Sequence, residues 1–70
     1  MDNPIYSIKE LKLKFELGAY YKVYNEETFD IFKFTGYEPP RGYVIGKGEK
    51  NLSDILSEFV YLEFLGHELD

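Results

Sequence analysis

Strict alternation is clearest in ELKLKFEL, residues 10 to 17, where Leu11, Leu13, Phe15 and Leu17 fall on one side and Lys12, Lys14 and Glu16 on the other. A period of two predicts a strand, since a helix here would use Ile8, Leu11 and Phe15 as its stripe and turn Leu13 away. Just upstream, SIKE matches a capping box, with Ser7 and Glu10 able to satisfy each other's backbone donors. The expectation is a single helical turn at 7 to 10, followed by a strand to residue 17.

AYYKVY and FDIFKF are rich in aromatic and β-branched residues and flank the loop Asn25 to Thr28, the pattern of a hairpin. That loop length pairs Tyr24 with Phe29, Lys22 with Ile31 and Tyr20 with Lys33. Ala19, Tyr21, Val23, Phe32 and Phe34 then share the core face, with Asp30 near the turn. The other face holds Tyr20, Lys22, Tyr24, Phe29, Ile31 and Lys33. In so small a sheet, the remaining strands are expected to cover it.

GYEPPRG, residues 36 to 42, reads as a turn or a stretch of extended polyproline-like chain, where the chain reverses or crosses, because Pro39 and Pro40 cannot donate and fix their own φ. A fourth short strand is expected around Tyr43 to Ile45, and Gly46 and Gly48 then permit a bend. The closing stretch, NLSDILSEFVYLEFLGHELD, begins with Asn51 or Ser53 as a cap and Leu52, Ile55, Leu56 and Phe59 at helical spacing. Continuing that helix would set Glu63 within the apolar arc, and an unpaired buried carboxylate is costly. Breaking it near Glu58 and running VYLEFL as a strand instead puts Val60, Leu62 and Phe64 on one face and Tyr61, Glu63 and Leu65 on the other. A longer helix capped at Gly66 is the competing arrangement.

The elements together predict an α+β, mainly β domain spanning residues 1–70. The architecture expected is a small curled antiparallel sheet, or an SH3-like partly closed barrel, of four to five strands with one short helix near residues 52–58. Size constrains it further: a 70-residue chain buries only about 60% of the surface its unfolded form exposes. With no Cys, disulfides and thiolate metal sites are excluded, and the core must be built from the seven Tyr, the six Phe and the aliphatics.

Charge changes the picture most. Residues 1 to 50 hold eight acids and eight bases, whereas residues 51 to 70 hold five acids and no Lys or Arg, so the net charge of −5 belongs to the last stretch. A solvated, solubilising end is one explanation; a face that attracts a basic partner is the other. Asp54, Glu58, Glu63 and Glu68 are the candidate acidic contacts, and Tyr20, Tyr24 and Tyr61 the candidate aromatic contacts or oligomer seam, the latter joined by Phe59 and Phe64.

Catalytic chemistry finds little support. His67 is the single histidine and lies near the C-terminus, and Ser7, Ser53 and Ser57 occur without a nucleophile elbow. The acids lack calcium-loop spacing, Glu26 and Glu27 suit a solvated turn, and GKGEKN lacks the phosphate-loop ending. No cofactor and no metal are expected. The expected function is therefore non-enzymatic: an acidic protein-binding protein, of the phage or mobile-element inhibitor or adaptor type, docking on a larger host or phage protein with a basic surface, with charge mimicry of DNA as one version. Nucleic acid is disfavoured as a partner by the net charge. A single-stranded nucleic-acid module using Tyr20, Tyr24, Lys22 and Lys33 is the alternative, and a homodimer stays open. The Lys-, Ile- and Tyr-rich, Ala-poor composition suits a low-GC genome. Without a basic leader or long apolar run, the expected location is the cytoplasm, that of the host if the chain is phage-encoded.

Overall fold

The computed structural model describes residues 5–8 and 14–69. In chain order the elements are β1 (Ile5–Ser7), β2 (Tyr20–Tyr24), β3 (Phe29–Tyr37), β4 (Pro40–Val44), β5 (Gly48–Asn51), α1 (Leu52–Ser57) and β6 (Tyr61–Gly66). The strands form one open antiparallel sheet in the order β1-β6-β2-β3-β4-β5. A flat sheet would be thin in one direction, yet the principal extents are 28 × 26 × 24 Å, so the sheet is curled around its core. Register shifts between Phe34 and Gly36, and between Tyr20 and Tyr21, add the local bending that a bulge supplies. The fold is thus the mainly β, curled antiparallel sheet with one short helix that the pattern predicts, with six strands instead of four to five.

The β2–β3 hairpin has the predicted register, Tyr24 opposite Phe29, Lys22 opposite Ile31 and Tyr20 opposite Lys33. Its concave face carries Ala19, Tyr21, Val23, Phe32 and Phe34, all buried, and they are joined by Val44, Leu52, Ile55 and Leu62. Each large side chain fully removed from water contributes about 1.5–3 kcal/mol before entropy is counted. Asp30, at the rim of this face, is neutralised by Lys47 Nζ at 3.0 Å.

Helix α1 is only six residues long and cannot persist alone. Packing holds it: Leu52 and Ile55 are buried, and the helix lies against β4 and β5. Asn51 occupies the N-cap position with extended backbone but makes no side-chain cap bond. The chain then breaks at Glu58 and re-enters the sheet as β6 between β1 and β2, so the strand arrangement holds and the long helix does not. Val60 departs from the predicted inward face and is 49% exposed. It precedes β6, where its backbone bridges Tyr24 and Ile8 in place of its side chain entering the core.

The helical turn expected at 7 to 10 is described only at its start: Ser7 lies in β1, opposite Tyr61, Ile8 after it is in a 3₁₀ conformation, and residues 9 and 10 lie outside the described residues. Residues 10 to 13 of the predicted strand lie outside the described residues, and residues 14 to 17 are not strand. They form a loop because Phe15 is drawn into an aromatic cluster, 4.9 Å edge-on to Tyr21 and 5.6 Å stacked on Phe34, while Leu17 turns out to solvent. Two tyrosine hydroxyls replace the missing ladder. Tyr37 donates to the Phe15 carbonyl at 2.7 Å, and the Glu16 N–H donates to the Tyr21 hydroxyl at 2.7 Å.

Strands β1 and β5 are additions that alternation does not announce. GEKN has no apolar face; it forms because Gly46 and Gly48, at φ +85° and +96°, fold it back on β4. The predicted cover over the second sheet face is also absent among the described residues. The other strands widen the same sheet sideways and the helix lies on the concave side, so Phe29 remains 55% and Tyr43 50% exposed.

Two stability predictions follow from the core. A Cβ on Gly42 would stand 2.6 Å from Phe32 Cδ2 and 3.1 Å from the Lys33 carbonyl oxygen, with Ile55 Cδ1 at 3.3 Å. Gly42→Ala is expected to lower stability by about 1–3 kcal/mol, read from the urea midpoint. Burial pushes the Tyr21 hydroxyl pKa up, and the hydrogen bond from the Glu16 N–H only partly offsets it. Folding therefore favours the neutral phenol, a contribution present in full below about pH 10 and lost as pH rises through the raised folded value. Tyr21→Phe should cost about 1 kcal/mol at neutral pH. It should also flatten the alkaline fall in stability relative to the wild type, measured by denaturant unfolding across that range.

Candidate functional site

Strand alternation assigns every second residue to the convex face, and the registers order these residues into rows. One row runs Ser7, Tyr61, Tyr24, Phe29; the next Ile5, Glu63, Lys22, Ile31; a third Tyr20, Lys33, Tyr43, Glu49. The Ile45 N–H donates to the Ile31 carbonyl at 2.9 Å and extends the second row. Aromatic and aliphatic side chains thus dominate the middle of this face. An exposed apolar patch of this kind on a small protein marks an interaction surface more often than a passive one.

The charges on the face are arranged against its rings. Lys22 Nζ lies 5.2 Å from the Tyr24 ring centroid and 4.9 Å from that of Phe29, and Lys33 Nζ lies 5.8 Å from that of Tyr20. Such contacts are worth about 0.5–1 kcal/mol when exposed. Glu63 is the register partner of Lys22 on the neighbouring strand. Tyr24 and Tyr61 form a tilted pair with centroids 5.4 Å apart. Glu49 accepts from the Thr35 hydroxyl at 3.0 Å and faces Arg41 Nε at 3.8 Å.

The sequence-predicted residues divide between surfaces. Tyr20, Tyr24 and Tyr61 come together on the convex face, with Glu63 among them. Phe59 and Phe64, the other seam candidates, pack against the core. Asp54 and Glu58 lie elsewhere, in an open groove of about 610 Å³ along α1 that Arg41, Glu49, Lys50, Asn51 and Ser57 also line. Bases are mixed with acids there, so that groove is not a uniformly negative wall. Glu68 is exposed beyond the end of β6. The acidic segment, continuous in sequence, is therefore spread over separate surfaces.

Phe29 and Ile31 were legible on this face from the hairpin register, but Tyr43, Ile45 and Ile5 were not. Finding Tyr43 would have required the pairing of β4 with β3, which the reversal at Glu38 and Pro39 sets and side-chain alternation does not. His67 is exposed, with Nε2 3.5 Å from Glu16 Oε1, and no proton relay leads from it among the described residues. No group of three or more His, Cys, Asp or Glu residues is placed to hold a metal ion among the described residues, and no helix there is long and apolar enough to cross a membrane.

Comparison with protein-family models, curated proteins and solved structures finds no match to this chain, so a functional assignment has to come from the chemistry of its surfaces.

Proposed function

We propose that this protein is a non-enzymatic binding protein that docks on a larger protein through the convex face of its sheet, as an inhibitor or adaptor would. The observation that carries the reading is the exposure of Phe29, Tyr43 and Tyr61, at 55%, 50% and 42%, on a face over which no described element packs. Tyrosine and phenylalanine on a rigid sheet supply large contact area at small entropic cost, which is why aromatics dominate the energetic centres of protein interfaces. The net charge of −5 favours approach to a basic surface and speeds encounter with it. The acids of α1 and Glu68 contribute to this long-range field, and the aromatic rows make the contact.

Single-stranded nucleic acid is the second reading, favoured by Lys22 and Lys33 beside exposed rings. It is the weaker one. The ammonium groups occupy the ring faces on which bases would stack, and Glu63 stands opposite Lys22. The whole chain moreover offers eight bases against thirteen acids.

The experiment compares the wild type with Phe29→Ser and Tyr43→Ser, both exposed enough to be changed without emptying the core. Immobilised wild-type protein should retain a specific larger protein from lysate of its source cell, and each substitution should weaken that complex about tenfold or more. A complex indifferent to both substitutions would overturn the docking face. Saturable, salt-sensitive binding of fluorescein-labelled oligothymidylate, lost in Lys22→Glu, would establish the second reading instead.

A further inference from the structure

At the loop end of the β2–β3 hairpin the convex face drops into an open groove of about 390 Å³, lined by Asn25, Glu26, Glu27, Thr28, Val60 and Tyr61. Its chemistry differs from that of the groove along α1. No Lys or Arg lines it, and no ion pair to Glu26 or Glu27 forms among the described residues. Asn25 Nδ2 donates to the Glu58 carbonyl at 2.9 Å, which fixes the amide's orientation and ties the loop to the end of α1. The Asn25 Oδ1 is buried and has no donor among the described residues. The opposite wall is aromatic, Tyr61 resting against Tyr24.

The molecule shows nearby what such rings receive. Lys22 places its ammonium between Tyr24 and Phe29 on one side of this aromatic group, with Glu63 as its register partner. The groove sets ring and carboxylate together again, with Tyr61 facing the loop of Glu26 and Glu27, while Lys22 lines only the smaller adjoining groove that this loop shares with Tyr24 and Phe29.

We propose that this groove receives an arginine side chain from a basic partner protein, its guanidinium stacked on Tyr61 and its N–H groups directed to Glu26 and Glu27. The inference rests on the docking reading above and adds the chemistry of the partner's anchor. Arginine fits better than lysine because a planar, weakly hydrated guanidinium can stack on a ring and donate in its own plane to two carboxylates at once, which a compact ammonium cannot. Glu26 and Glu27, which look like solvated turn residues in the sequence, become specificity determinants.

The test titrates the ¹⁵N-labelled full chain with N-acetyl-arginine methylamide and, as a neutral control of similar length, N-acetyl-norleucine methylamide. The arginine probe should shift the amides of Asn25 to Thr28, Val60 and Tyr61 along a saturable curve, and norleucine should not. Glu26→Gln with Glu27→Gln, or Tyr61→Leu alone, should weaken the arginine response about threefold or more, with the remaining amide spectrum unchanged. Equal responses to both probes, shifts centred on Asp54, Ser57 and Glu58, survival of the response in the double variant, or no saturable shift would each overturn the assignment. Tyr43→Ser, on β4 opposite Lys33 and outside the groove lining, separates the two claims. If it abolishes partner capture while arginine fails to shift the groove, only the groove assignment falls. If the arginine response is intact and capture ignores Tyr43, the groove assignment stands and the wider docking face falls.

Discussion

Across the β2–β3 hairpin, Tyr24 meets Phe29, Lys22 meets Ile31 and Tyr20 meets Lys33. A slip of one residue would turn the slipped strand over, sending Tyr21 and Val23 outward and Lys22 inward, or Phe32 and Phe34 outward and Lys33 inward, at a heavy cost in lost apolar burial and buried charge. That register therefore fixes both surfaces at once. The concave side collects the buried aromatics around Tyr21, stacked on Phe32 at 5.5 Å and edge-on to Phe64 at 5.4 Å. The convex side has to carry whatever remains.

Because the chain is short, its resources are spent on one face. The helix, the 14-to-19 loop and the inward residues of β4 and β6 all close on the concave side, and nothing described is left to pack on the other. The result is a molecule with an aromatic convex surface and a net charge of −5. These two properties act at different ranges: charge governs encounter over about a Debye length, roughly 8–10 Å, whereas the rings contribute only on contact. The acids of the C-terminal segment, separated among α1, the convex face and the end of β6, fit the first role better than a single continuous binding surface.

Much of the fold was legible in the sequence where side-chain pattern and backbone pairing say the same thing. The hairpin register, the helix of Leu52 and Ile55 and the strand of Leu62 and Phe64 all follow from apolar spacing. The pattern misleads at residues 14 to 17, where Phe15 and Leu17 alternate as a strand would and yet part company, because the Tyr21 and Tyr37 hydroxyls can hold a loop that delivers Phe15 to the core. It is silent at β5, whose Gly, Glu, Lys and Asn carry no periodic signal and which exists through backbone bonds to β4. The candidate site was half visible for the same reason. Tyr20, Tyr24 and Tyr61 follow from local alternation, whereas Tyr43 depends on a pairing between strands and the groove of Glu26 and Glu27 on where the chain entering β6 crosses the hairpin loop.

The proposed docking puts the partner on the aromatic convex face and not on the acidic helix. Site-specific photocrosslinking in the source cell tests it most directly, with p-benzoylphenylalanine placed either at Tyr43 or at Glu58, both exposed and on different surfaces. A discrete crosslinked protein is expected from position 43 and none from position 58. A crosslink from position 58 with none from position 43 would contradict it.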